Sequence, residues 1–132
     1  MTNVTATATD GDETNGVYNH SSSPTMTNVT ATATGGNDNS GVYNLSSVPV
    51  TMNNVIATAT DGSASYGVYN KDSTANIRNS SLTATGATND NFSIQTEGQQ
   101  TAFLAHTTLD GTVGQVSQCF WVYDETFTEI NC

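Results

Sequence analysis

The sequence predicts an all-β fold: a right-handed parallel β-helix, or β-solenoid, of about 25–26 residues per rung and roughly five rungs, closed by a C-terminal cap. Three observations predict it. The stretch MTNVTATAT at 1–9 returns as MTNVTATAT at 26–34 and as MNNVIATAT at 52–60. Within it, Val4-Thr5-Ala6-Thr7-Ala8-Thr9 alternates apolar and polar residues at every step. That is the period of a strand with one face in and one face out. No stripe of helical period appears anywhere along the chain.

The repeat runs beyond its obvious copies. Met1, Met26 and Met52 are succeeded by Ile77 and Leu104, at spacings of 25, 26, 25 and 27 residues. GVYN at 16–19, 41–44 and 67–70 keeps the same step, followed by SIQT at 93–96 and WVYD at 121–124. Each unit reads as three short strands, exemplified by those around Met26, over Val29–Thr34, and around Val42–Tyr43. Clusters such as Gly35-Gly36-Asn37-Asp38-Asn39-Ser40 and Ser21-Ser22-Ser23-Pro24 supply the turns. Three strands and three corners make one coil.

Alternation assigns the inward columns. Ala6, Ala31, Ala57, Leu82 and Leu109 form one, and Ala8, Ala33, Ala59, Ala84 and Gly111 a second. Val17, Val42, Val68, Ile94 and Val122 supply a third, and the Met/Ile/Leu landmark a fourth. So small a core suffices because each rung buries its faces against its neighbours. Asn3, Asn28, Asn54 and Asn79, with His106 next, fall at the bend between two strands. Stacked amide side chains there can bond from rung to rung and satisfy backbone groups that the bend leaves open.

PTMTNVTATATGG with GVYN resembles the right-handed parallel β-helix (pectin-lyase-like) repeats of bacterial surface and secreted proteins. The tail, 109–113 and then 119–132, resembles the closing segment of such arrays. The resemblance implies an architecture, since that superfold carries lyases, adhesins, tail spikes and spacers alike.

Residues 1–112 are therefore expected to form the solenoid and 113–132 its cap. The larger apolar residues gather late, at Phe92, Phe103, Phe120, Trp121, Phe127 and Ile130, with Trp121 expected over the last rung. A disulfide between Cys119 and Cys132 would close a loop of about 14 residues, stabilising the cap by ~3 kcal/mol. An even cysteine count in an acidic, Thr/Asn-rich chain fits an extracellular or cell-surface setting. No comparable cap precedes Met1, so the first rung would offer an open edge. More repeats upstream, or self-association into a filament, would cover it.

Charge narrows the partners. The net charge is −10, and Lys71 and Arg78 are the only strong bases. That leaves no electrostatic footprint for nucleic acid and none for an anionic membrane. No apolar run approaches the ~20 residues of a membrane-spanning helix. No catalytic residue, metal site or cofactor is expected. Asp10, Asp12 and Glu13 share a turn, but the equivalent turns read GGND, DGSA and GATN and do not rebuild the cluster. No GxSxG elbow occurs.

Two outward surfaces remain as candidate binding sites. Thr5, Thr7 and Thr9, Thr30, Thr32 and Thr34, Thr58 and Thr60, and Thr83 and Thr85 would rank on one flat face. Such a lattice of hydroxyls and methyls resembles the face of β-solenoid ice-binding proteins, with Ile56, Ser81, Thr108 and Asp110 breaking it in the later rungs. Tyr18, Tyr43 and Tyr69, with Tyr123 in the degenerate unit, follow the inward valines and should face out, where they could bind glycan. Six Asn-x-Ser/Thr sequons occur, at Asn3, Asn19, Asn28, Asn44, Asn79 and Asn91. The function expected is a non-enzymatic extracellular structural solenoid, as a surface fibre, stalk or filament subunit. The alternative is an adhesive module that binds ice or glycan.

Overall fold

The computed structural model describes residues 1–98, 101–116 and 118–131. The first three coils are built from β1 (Thr2–Thr9), β2 (Glu13–His20), β3 (Thr25–Thr34), β4 (Asp38–Leu45), β5 (Val50–Thr60) and β6 (Ala64–Lys71). The fourth contains β7 (Ala75–Arg78), β8 (Ser81–Thr85) and β9 (Asp90–Glu97). Shorter strands follow: β10 (Ala102–Ala105), β11 (Thr108–Asp110), β12 (Thr112–Val113), β13 (Gln118–Phe120) and β14 (Tyr123–Asp124).

Every strand pairs in parallel with its counterpart one coil away. One sheet of nine strands holds β1, β3, β5, β7, β8, β10, β11, β13 and β14; the other runs β12-β9-β6-β4-β2. The product is an all-β solenoid of about four turns. The expected five rungs come out lower because the fifth layer is reduced to strands of 4, 3 and 2 residues.

The inward columns stack as their spacing requires. Ala6 registers on Ala31, Ala31 on Ala57, Ala57 on Leu82 and Leu82 on Leu109. Met26, Met52, Ile77 and Leu104 form another column, all essentially excluded from solvent. Val17, Val42, Val68 and Ile94 form a third. It continues to Val113, not to the expected Val122. The register there pairs Leu104 with Cys119 and Thr108 with Tyr123, so the last coil is much shorter than a repeat. WVYD is therefore not a degenerate GVYN: its residues continue the other sheet.

The bend column is built as its residues suggest. Asn3, Asn28, Asn54, Asn79 and His106 all have φ between 50° and 55°. This left-handed region suits Asn, whose short polar side chain bonds locally. Trp121 is next in the column at φ 51° and is 58% exposed, so it does not pack over the last rung. Its ring lies 4.8 Å from that of His106. Strands run continuously through the bend in the first three coils but divide in the fourth. There Ser80 replaces the valine of Val4, Val29 and Val55. Ser80 Oγ accepts from Val55 N at 3.1 Å and donates to Arg78 O at 2.8 Å. A side-chain oxygen has taken over a ladder bond, and the strand breaks there.

Glycine sets the thickness of the coil. A methyl added at Gly16 would lie 2.7 Å from Thr32 N, and one at Gly41 2.7 Å from Thr58 N. The glycine of GVYN thus lets the two sheets meet backbone to backbone. This is why Ala and Val suffice for the core. One interior polar group closes a turn: the buried Asn39 accepts from Gly36 N at 2.9 Å and donates to Thr60 O at 3.1 Å and Asp61 O at 3.0 Å. At the C-terminal end Asp124 Oδ1 accepts from Thr126 N at 2.9 Å and Thr128 N at 2.8 Å. The expected Cys119–Cys132 bridge has its second member outside the described residues.

Candidate functional site

The threonine face lies on the larger sheet. Thr7, Thr32, Thr58 and Thr83 register as one column, and Thr9, Thr34, Thr60 and Thr85 as another. The third column begins with Thr5 and Thr30, then passes through Ile56, Ser81, Thr108 and Tyr123. All ten threonines of the expected lattice are therefore in rank. Their side chains stand outward because the intervening alanines are buried. The hydroxyls are partly engaged: Thr60 Oγ1 donates to Thr34 Oγ1 at 2.9 Å, and Thr34 Oγ1 to Asp61 Oδ2 at 3.2 Å. Ile56, 50% exposed, breaks the third column in the middle of the face.

The asparagines form two ladders rather than one. On the exposed bend, Asn28 Nδ2 donates to Asn3 Oδ1 at 2.9 Å and Asn54 Nδ2 to Asn28 Oδ1 at 2.8 Å. Asn79 belongs to the same column but donates to Asn53 Oδ1 at 2.9 Å instead of Asn54. The second ladder is buried and was not anticipated. Asn19 Nδ2 donates to Asn44 Oδ1 at 2.8 Å, and Asn44 Nδ2 to Asn70 Oδ1 at 2.7 Å. Alternation could have found it, because the Asn of GVYN lies two residues after the inward Val. Thr96 takes the next place, and Asn70 Nδ2 and Thr96 Oγ1 are both buried without a hydrogen-bond partner. The sequons at Asn19 and Asn44 are thus inside the coil.

Tyr18, Tyr43, Tyr66 and Tyr69 stand on the outer face of the smaller sheet in one row of ring contacts, stacked except for the pair Tyr18–Tyr43, which is tilted by 48°. Ring centroids are 5.3 Å apart for Tyr18 and Tyr43, 5.0 Å for Tyr43 and Tyr69, and 4.7 Å for Tyr69 and Tyr66. Phe92 extends the stack from Tyr66 at 6.1 Å. Tyr123 lies on the other sheet and takes no part in it. Tyr66 and Phe92 were missed because they precede the GVYN landmark; they share a column with Asn15 and Ser40, where earlier coils carry small residues. That change from small to aromatic leaves a cleft of about 210 Å³. Glu13, Asp38, Lys71 and three of the tyrosines line it.

Burial raises the pKa of Tyr43 and of Tyr66, with nearby carboxylates adding to it. Tyr69 is raised more strongly, by burial first and then by its hydrogen bond to Glu97. All three phenols stay protonated through the ordinary pH range.

Asp10, Asp12 and Glu13 do not assemble into a metal site: no group of three or more His, Cys, Asp or Glu that could hold an ion occurs among the described residues. No described helix is long and apolar enough to cross a membrane. Comparison with protein-family models, with curated proteins and with solved structures returned no match.

Proposed function

We propose that this chain is a non-enzymatic structural β-solenoid of the extracellular or cell-surface kind: a stalk, surface fibre or filament subunit built from pectin-lyase-like repeats of bacterial type. One observation carries the proposal. The polar residues of the repeat bond chiefly from coil to coil, through the exposed and buried Asn ladders. Ser47 joins the same pattern, accepting from Ser22 N and donating to Asn19 O. Side chains used this way hold rungs in register, the property a rod needs.

Among the described residues, β1 pairs only with β3 and β2 only with β4, so each offers a second edge. A second copy, or further coils in a longer chain, would add there. Negative-stain microscopy and light scattering over a dilution series test the reading. Rods that lengthen with concentration are expected. A compact monomer at every concentration would remove the filament subunit from it.

A second reading, ice binding, draws on the ranked threonine columns. Parallel strands repeat about every 4.8 Å and alternate residues about every 6.8 Å, so these columns present a regular lattice to ordered water. Thermal hysteresis and ice-recrystallisation inhibition, both lost on Thr32→Lys and Thr58→Lys, are the expected result; no activity in the parent protein ends that reading. The glycan reading has less support, because the faces of Tyr43 and Tyr69 already stack on neighbouring rings.

A further inference from the structure

We propose that the aromatic stack is an oxidative modification site, in which Tyr43 and Tyr69 couple into an intramolecular dityrosine that joins two coils when the protein meets a peroxide and a haem peroxidase. The geometry points to this pair. The two residues are direct register partners on adjacent parallel strands, with rings 5.0 Å apart and only 16° from parallel. Register pairing puts the two rings side by side on one face of the sheet, so coupling through the carbons beside the two hydroxyls needs no change of register. Tyr66 is nearer to Tyr69 at 4.7 Å, but it comes from the same strand, three residues before it. Coupling there would join nothing that the chain does not already join.

The stack also supplies an entry and a proton acceptor. Tyr18 is 51% exposed and lies 5.3 Å from Tyr43, so an electron vacancy made at the accessible ring is handed inward along ring contacts. Glu97 stands on the adjacent strand, two residues beyond Gln95, the register partner of Tyr69, and takes the phenolic proton as the electron leaves.

Each ring loses one electron and its phenolic proton, Tyr69's to Glu97 and Tyr43's to water. The two radicals form one carbon–carbon bond between ring positions adjacent to the oxygens. The hydrogen on each coupled carbon leaves as a proton, and a proton returns to each oxygen, restoring both phenols. The sum is two electrons and two protons, accepted by one peroxide that becomes two waters. The proposal is independent of the structural role and of ice binding.

The test treats the full chain with hydrogen peroxide and a haem peroxidase. The expected result is dityrosine fluorescence that grows at a rate independent of protein concentration. It comes with the loss of two hydrogens per chain and a digest in which the Tyr43 and Tyr69 peptides are linked. Tyr43→Phe and Tyr69→Phe keep a ring in the stack but abolish the linked peptide, whereas Tyr123→Phe leaves it unchanged. Circular dichroism confirms that each variant remains folded. Either of two results overturns the proposal: coupling only between molecules, with a rate that rises with concentration, or a linked peptide that survives Tyr43→Phe.

Discussion

Replacing Gly41 with alanine isolates the close approach of the two sheets. The φ of Gly41 is not in the left-handed region, so alanine meets no backbone penalty. On unfolded-state entropy alone it would stabilise by about 0.4–1 kcal/mol. Space decides otherwise. The added carbon would lie 2.7 Å from Thr58 N, 2.8 Å from Gly67 O and 2.9 Å from Ala57 C. All three are backbone atoms held in parallel ladders, and none can swing aside as a side chain could. Overpacking of this kind costs about 1–3 kcal/mol. The net expectation is destabilisation by roughly 1–2 kcal/mol, or more if Thr58 N loses its ladder bond. Thermal denaturation should report a fall of about 3–5 °C per kcal/mol for a chain of this size. Gly11→Ala is the control, because its new carbon would be no nearer than 3.4 Å to Thr14 Oγ1 and 3.7 Å to Glu13 O. Gly11→Ala should be neutral or slightly stabilising. Gly41→Ala as stable as its parent would refute backbone contact between the sheets.

Asn44→Ala removes both inner rungs of the buried ladder and strands Asn19 Nδ2 and Asn70 Oδ1; a loss of about 2–4 kcal/mol is expected in denaturant unfolding, against about 1 kcal/mol or less for the exposed Asn28→Ala. Thr96→Asn extends the buried ladder and offers Asn70 Nδ2 an acceptor, so unfolding should shift upward by about 1 kcal/mol; a lower midpoint would mean the site cannot hold a second amide. Tyr43, Tyr66 and Tyr69 have folded pKa values above their unfolded value of about 10, so their contribution is full below about pH 10 and is lost as pH rises through the folded values. Melting temperatures taken from about pH 8 upward should therefore fall beyond about pH 10, and less steeply in Tyr69→Phe. A Cys119–Cys132 bridge is expected to protect both thiols from alkylation under non-reducing mass spectrometry, with modification of both only after reduction.

Columns were legible wherever the repeat kept its length. Ala6 through Leu109 and Met26 through Leu104 could be placed by counting, because alternation fixes the face and the repeat fixes the register. The bend at Asn3, Asn28, Asn54 and Asn79 was legible from the recurrence of one residue type at one place in the repeat; its left-handed backbone emerged only from the structure. Counting failed at the C-terminal end. A spacing argument carries Val122 onto Ile94, but the chain shortens its last coil through Gly111 and delivers Val113 instead. Alternation also hides contacts that depend on neighbouring columns. Tyr66 reaches Tyr69 past two successive buried residues, Gly67 and Val68, and a strict period of two does not announce that. The buried Asn ladder was within reach of the pattern, yet Asn19 and Asn44 also spell sequons, and the surface reading concealed the interior one.

One turn shows how the coil accommodates change. His20 registers on Leu45, 25 residues on, whereas Thr25 registers on Thr51, 26 residues on. The extra residue is therefore taken up between Leu45 and Val50, around the exposed Val48, while the columns on either side continue undisturbed. Length varies at a corner without altering pitch. A peptide grafted into equivalent corners of successive coils would accordingly be displayed at intervals of about 4.8 Å, one strand spacing. The molecule then serves as a molecular ruler whose graduations are written by the repeat and whose cargo can be chosen at the turns.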